Sequence, residues 1–157
     1  TLLLWNVHNM HKKNFFHLKE TEANRVFAKT IGNKDQDLSE IVEEVEAFCD
    51  AWEADFTQSY YVTLTVEEIC SAIVQNAFGH GEDEYIQLTL VANEDNTFTL
   101  HLRDSARSFN PFEMHTKKIK EDDEEGMDAI GILVVKKKAR DFFYRRYQGF
   151  NTLVITV

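Results

Sequence analysis

The sequence predicts an α+β fold, a two-layer α/β sandwich in which helices cover one face of a mixed, mostly antiparallel sheet. The predicted elements run strand, two helices, two strands, a long connection, one helix and two strands. This order fits helices packed on a sheet of antiparallel strands and lacks the strict strand–helix alternation of a parallel doubly wound fold. The central strands also alternate apolar and polar residues, so one face of the sheet is buried.

The first half of the domain contains a strand and two helices. Residues 25–31 alternate as a short strand does. Apolar residues recur at helical spacing through 38–54, opposite a face rich in Glu and Asp, and this pattern predicts an amphipathic helix. We interpret the acidic face as solvated rather than as a partner surface. A second helical pattern covers residues 59–78.

The second half contains two hairpins separated by a long connection. Residues 85–92 and 97–103 alternate as strands, and the polar residues between them predict a hairpin turn. Residues 104–128 hold the single proline and five consecutive acidic residues, which is typical of a functional lid or a disordered loop. The remaining predicted elements are a helix at 129–139 and strands at 142–147 and 152–157.

Length and composition indicate one globular domain. Of the 157 residues, 43 % are hydrophobic and 28 % are charged, as in ordinary folded proteins. We assign residues 25–157 to the domain and residues 1–24 to an N-terminal extension or linker from a longer protein, with an edge strand at 15–18. No apolar run approaches the roughly 20 residues that a membrane span needs.

The net charge and the two cysteines indicate which partners and which cellular compartment suit the protein. The formal net charge of −10 disfavours nucleic acid as a partner, because phosphate neutralisation needs clustered Lys and Arg. Cys49 and Cys70 lie in apolar helical stretches, which indicates buried thiols in a reducing compartment. We therefore expect a cytoplasmic protein.

Three segments combine polar residues with defined places in the predicted fold. Residues 66–81, VEEICSAIVQNAFGHG, lie on the second helix. Residues 100–112, LHLRDSARSFNPF, begin in a strand and leave it at Asp104. Residues 126–138, GMDAIGILVVKKK, precede and enter the third helix. Their order resembles the ATP-binding fold of histidine kinases, type II topoisomerases and anti-sigma-factor serine kinases, most closely the anti-sigma-factor kinase-like domains, over residues 25–157.

In that family the helix carries Glu-x-x-x-Asn, whose members share one helix face; the Glu helps to activate the attacking group and the Asn binds Mg²⁺. One register aligns Asn76 with the Asn and puts Ala72 at the Glu position. The other, which we favour, aligns Glu68 with the Glu as candidate base and Ala72 with the Asn. Asn76 is then one turn further along and still a candidate metal ligand. Alternatively, these are ordinary helix residues and Asn76 forms a hydrogen bond near the helix end.

The second segment resembles the family motif Asp-x-Gly-x-Gly followed by Phe-Asp-Pro. The resemblance implies that Asp104 accepts a hydrogen bond from the adenine amino group and that Asn110 belongs to the nucleotide site. Ala106 and Ser108 stand where the family has glycines, which permit unusual backbone angles and close approach of a ligand.

The third segment resembles the glycines that precede a helix whose N-terminus faces the phosphates. The resemblance assigns Gly126 and Gly131 to nucleotide binding and places the helix start at Gly131, since free N–H groups at a helix N-terminus bind anions. Ala129 stands where the first glycine is expected. The terminal hairpin is interpreted as a marker of the fold without chemistry of its own.

The resemblance implies an ATP-binding signalling domain similar to anti-sigma-factor serine/threonine kinases, with ATP or ADP and Mg²⁺ as cofactors and a protein of a signalling pathway as partner. Alanine or serine at positions 72, 106, 108 and 129 favours weak or lost kinase or ATPase activity. The alternative is a degenerate, non-catalytic protein–protein interaction module of the same fold. Relatives often act as homodimers or within multidomain chains, and both arrangements are compatible with the sequence.

Overall fold

The computed structural model describes residues 25–33, 35–79, 84–114 and 124–157. The predicted edge strand at 15–18 and residues 115–123 of the predicted lid lie outside these ranges. In the described part of the chain, no helix is long and apolar enough to cross a membrane.

Within the described ranges, five strands form one sheet in the order β1-β2-β3-β5-β4. Leu88, Leu102 and Leu153 stand side by side on the three central strands. Each adjacent pair of described strands is antiparallel, and the predicted α+β class is confirmed. The strands are β1 (Val26–Ile31), β2 (Ile86–Ala92), β3 (Phe98–Asp104), β4 (Asp141–Tyr147) and β5 (Phe150–Thr156).

Three helices of the described residues pack on one face of this sheet: α1 (Asp35–Ala51), α2 (Phe56–Asn76) and α3 (Glu124–Lys138). Asp55 caps α2, because its Oδ1 accepts a hydrogen bond of 2.8 Å from the backbone N–H of Gln58. Helix α3 begins five residues before the predicted start at residue 129.

The core lies between the sheet and the helices. Alternate residues of the central strands point into it, and the apolar stripes of α1 and α2 cover them. Among the described residues, the largest fully buried side chains are Ile31, Ile86, Leu88, Leu90, Leu100, Leu102 and Ile155 of the sheet and Val45, Val62, Val66, Ile69 and Val135 of the helices.

The topology gives the sheet two different ends. Asp104 at the end of β3 faces Ile86 on β2 and Asn151 on β5. The C-terminal end of α2 reaches the same end, where Arg107 contacts Asn76. The predicted site residues Asp104 and Asn76 thus lie at the same end of the sheet, whereas the β2–β3 turn lies at the opposite end.

Candidate functional site

Asp104 is the last residue of β3, and it is buried, with 5 % of the residue exposed. The backbone N–H of Ala106 donates to its Oδ1 over 3.0 Å, and Asn151 Nδ2 donates to the same oxygen over 2.9 Å. Both bonds end on Oδ1, so Oδ2 takes part in neither. The protein thereby fixes the carboxylate plane and the direction in which Oδ2 can accept a further hydrogen bond.

Asn151 is the centre of the polar network behind Asp104. Its Nδ2 also donates to the carbonyl oxygen of Arg107 over 2.9 Å. Its Oδ1 accepts from the Tyr144 hydroxyl over 2.8 Å and from Arg146 Nη1 over 2.9 Å. With 3 % of the residue exposed, the Asn151 amide is satisfied by protein groups, as buried polar groups need to be.

Asn151, Tyr144 and Arg146 are absent from the residues predicted from the sequence, where the terminal hairpin counts as a marker of the fold alone. These side chains of β4 and β5 position the carboxylate of Asp104. A signal was present: Asn151, Leu153 and Ile155 alternate on the buried face of β5. A polar residue in such a buried row indicates a buried polar partner.

Burial is the largest influence on the pKa of Asp104 and raises it above its ordinary value of 3.8. The hydrogen bonds from Asn151 and Ala106 and the charge of Arg146 lower the pKa, and Glu84 raises it. The carboxylate is thus held in a site that disfavours its charge. An additional donor at Oδ2 would stabilise the charged form.

The raised pKa of Asp104 makes the stability of the fold depend on pH. The folded state holds the proton of Asp104 more tightly than the unfolded chain does. The stabilisation of the fold by this protonated group is therefore complete below pH 3.8 and is lost as pH rises through the folded pKa. Asp104→Asn retains an acceptor at Oδ1 and removes the titration. Relative to this variant, the parent chain should lose free energy of unfolding as pH rises above 3.8. Urea unfolding at a series of pH values measures the difference, and a constant difference would contradict the prediction.

Asn76 is the last residue of α2 and lies beside the loop that follows Asp104. Its Nδ2 donates to the carbonyl oxygen of Ala72 over 2.8 Å, which is the hydrogen bond near the helix end that the sequence analysis gave as an alternative. The carbonyl oxygen of Asn76 accepts two hydrogen bonds from the guanidinium of Arg107, one of 2.7 Å from Nε and one from Nη2. Arg107 thus places a positive charge at the C-terminal end of α2, where the helix dipole favours it.

Glu68 lies two turns before Asn76 and faces α3. A Cβ atom added to Gly131 would stand 1.9 Å from Glu68 Oε2 and 2.7 Å from Oε1. The carboxylate therefore occupies the space that a side chain at position 131 would need. Glycine at 131 permits this close packing of the Glu68 side chain on α3.

Gly131→Ala should reveal this contact through a double-mutant cycle with Glu68→Ala. Alanine is favoured over glycine inside a helix by about 1 kcal/mol, so Gly131→Ala should stabilise the Glu68→Ala background by about that amount. In the parent chain the added methyl group must displace the carboxylate, and the gain should vanish or reverse. Urea unfolding of the four chains gives the coupling energy; equal effects of Gly131→Ala in both backgrounds would contradict the contact.

Three predicted site residues remain, Gly126 and Gly131 of α3 and Asn110 of the loop after Asp104, and the place of Gly131 differs from the prediction. Gly131 lies inside α3 and not at its start, so the predicted helix N-terminus at this residue is wrong. Gly126 lies in the first turn of α3. Asn110 caps the short 3₁₀ helix Pro111–Glu113, because its Oδ1 accepts from the backbone N–H of Phe112 over 3.1 Å.

These residues fit an adenine base and a single-ligand magnesium site. Oδ2 of Asp104 offers an acceptor to an exocyclic amino group. The bond from Asn76 Nδ2 to Ala72 orients the amide and leaves Oδ1 as the ligand atom that a hard cation prefers. Mg²⁺ commonly takes one or two protein oxygens and completes its shell with phosphates and water. Among the described residues there is no cluster of three His, Cys, Asp or Glu side chains that could hold a metal by itself.

Comparison with known proteins identifies the family to which this fold belongs. A family model described as a histidine kinase-like ATPase domain matches residues 31–157. No curated protein matches the chain in sequence. A chain in the crystal structure of the SiaB–SiaC complex from Pseudomonas aeruginosa is similar over 100 % of both chains, with 13 % identity and a TM-score of 0.65.

A second solved structure is the histidine kinase domain of the blue-light activated histidine kinase from Erythrobacter litoralis EL346. The match covers 78 % of this chain and 63 % of that one, with 12 % identity and a TM-score of 0.47. The family model spans residues 31–157 and therefore most of the sequence. The chain belongs to the histidine kinase-like ATPase domain family.

Proposed function

We propose that the chain is a signalling domain that binds an adenine nucleotide, ATP or ADP, at the Asp104 end of the sheet and has weak or lost catalytic activity. The observation that carries this proposal is the buried carboxylate of Asp104, held through one oxygen by Asn151 and Ala106. The second oxygen suits the 6-amino group of adenine. Guanine has a carbonyl oxygen at that position, which a carboxylate repels.

The arrangement of α2 favours the register in which Asn76 is the magnesium ligand. Asn76 lies at the loop that follows Asp104, whereas Glu68 packs on Gly131 of α3. In this register Ala72 stands four residues before Asn76, at the position where the family has its Glu. The methyl group of Ala72 cannot act as a base. Phosphoryl transfer or hydrolysis is then weak or lost, while binding remains.

A protein partner completes the proposal. A nucleotide-binding domain without efficient chemistry signals through contacts that its bound nucleotide changes. The SiaB–SiaC structure, which has a similar fold in one of its chains, is a complex of two proteins, and this supports a partner protein for the present chain. If the nucleotide site is empty in solution, the degenerate interaction module becomes the better interpretation, since positions 72, 106, 108 and 129 already depart from the family motifs.

Calorimetric titration with ATP, ADP and GTP, with and without Mg²⁺, tests the proposal. We expect ATP and ADP to bind with at least about tenfold higher affinity than GTP, equivalent to about 1.4 kcal/mol. Asn76→Ala should remove the gain in affinity that Mg²⁺ provides, and Ala72→Asn should leave it unchanged. The opposite pattern would select the register in which Glu68 is the base, and no binding at millimolar nucleotide would contradict nucleotide binding altogether.

A further inference from the structure

A groove of about 370 Å³ runs along the surface between α1 and α2. Its α2 wall carries Phe56 and Tyr60, which are 88 % and 54 % exposed. The two residues are four positions apart and therefore share a helix face. Adjacent exposed aromatic side chains of this size are typical of binding surfaces.

The edges of this α1–α2 groove are acidic. Glu46 and Asp50 of α1 and Glu67 of α2 line it, and all three are exposed. None of the described residues that line the groove is Lys, Arg or His. A chain segment that combines basic and aromatic residues would complement this surface in charge and in polarity.

The chain itself contains a segment of the required chemistry. Residues 11–19, HKKNFFHLK, include three lysines, two phenylalanines and a leucine and no acidic residue. The whole chain, by contrast, has 27 acidic and 17 basic residues. This segment therefore complements the acidic edges and the aromatic wall together.

The point of attachment places this segment close to the groove. Arg25 precedes β1 and contacts the turn between α1 and α2. Its Cζ lies 4.7 Å from the centre of the Trp52 ring. Ala54 and Phe56, from the same turn and the start of α2, line the groove. The five residues 20–24 extend over at most about 17 Å, so a tether of this length leaves the groove within reach of residues 11–19.

We propose that residues 11–19 bind in the α1–α2 groove of the same chain. In this arrangement the phenylalanines pack on Phe56 and Tyr60, and the lysines meet the carboxylates of the groove edges. The site is separate from the Asp104 end of the sheet, so this interaction does not depend on the proposed nucleotide.

Disulfide trapping in the full chain tests the proposal. The two native thiols will not interfere, because Cys49 and Cys70 are fully buried and burial raises the pKa of each to about 12. Phe16→Cys combined with Tyr60→Cys should form an intramolecular disulfide at least about tenfold faster than the control pair Phe16→Cys with Phe143→Cys. Phe143 is a matched control, because it is 52 % exposed and lies on the edge strand β4.

Charge reversal in the trapping background tests the electrostatic part. Lys12→Glu with Lys13→Glu should slow the trapping several-fold, and Glu46→Lys with Asp50→Lys should do the same. All four changes together should restore the rate. Where the Tyr60→Cys chain fails to fold by circular dichroism, Phe56→Cys takes its place.

Three results would overturn the proposal. The first is equal trapping at positions 60 and 143, which would mean that the segment has no preferred site. The second is insensitivity to both charge reversals. The third is a product that consists mainly of disulfide-linked dimers at low protein concentration, which would assign the groove to a second copy of the chain.

Discussion

Asn151→Leu should lower the free energy of unfolding by about 2–4 kcal/mol, because it removes the centre of a buried hydrogen-bond network. Leucine has a similar size but cannot donate to Asp104 or accept from Tyr144 and Arg146. The carboxylate of Asp104 then keeps only its bond from Ala106. Urea unfolding followed by circular dichroism measures the loss.

Thr152→Val is the matched control for this variant. Thr152 is the next residue of β5, and its partly buried side chain points to the opposite sheet face. The same kind of polar-to-apolar change should there cost less than about 1 kcal/mol. A loss of that small size at Asn151 would mean that the network contributes little to the fold and does not fix the carboxylate.

Asp104→Asn should weaken ATP binding at least about tenfold, or 1.4 kcal/mol, and leave the fold intact. The asparagine Oδ1 can keep both bonds to Ala106 and Asn151. Its Nδ2, however, replaces the acceptor Oδ2 with a donor that faces the amino group of the base. Loss of affinity without loss of structure would therefore report on the site itself. Calorimetric titration gives the affinity, and circular dichroism verifies the fold.

Glu94→Gln controls for the change in net charge. Glu94 is an exposed residue of the β2–β3 turn, at the opposite end of the sheet from Asp104. Its substitution removes one negative charge and should leave ATP affinity unchanged within about twofold. Equal losses in the two variants would assign the effect to long-range charge and remove Asp104 from the site.

The strands and their succession along the chain could be predicted because period-2 alternation is a local property of the sequence. Ile86, Leu88 and Leu90 alternate with polar residues and are fully buried in the structure. The place of Asp104 at a strand end followed from the same pattern. These features depend on which face of the strand each side chain occupies, and the alternation of neighbouring residues decides that face.

The start of α3 could not be predicted in the same way. Its sequence contains Gly126 and Gly131, and glycine disfavours a helix interior. Packing overrides this local preference, since Ile132 and Val135 are buried and Gly131 accommodates Glu68. The consequence for the site is that Gly131 contacts a carboxylate instead of beginning a helix.

The partners of Asp104 depend on contacts distant in sequence. Asn151 follows it by 47 positions, and only the pairing of β3 with β5 brings the two side chains together. The buried-face pattern of β5 shows that Asn151 needs a partner but does not identify it. Likewise, the bond from Asn76 to Ala72 is local, whereas the approach of Arg107 to Asn76 requires the folded loop.

The most direct test of the central claim pairs Asp104→Asn with a nucleotide that lacks the 6-amino group, purine riboside triphosphate. Calorimetric titration of the parent chain and the variant with ATP and with this analogue gives four affinities. If Asp104 accepts a hydrogen bond from the amino group, each single change should weaken binding about tenfold, and both together should cost little more than one. Additive losses, or an analogue that binds the parent chain as tightly as ATP does, would contradict the assignment of Asp104 to the adenine site.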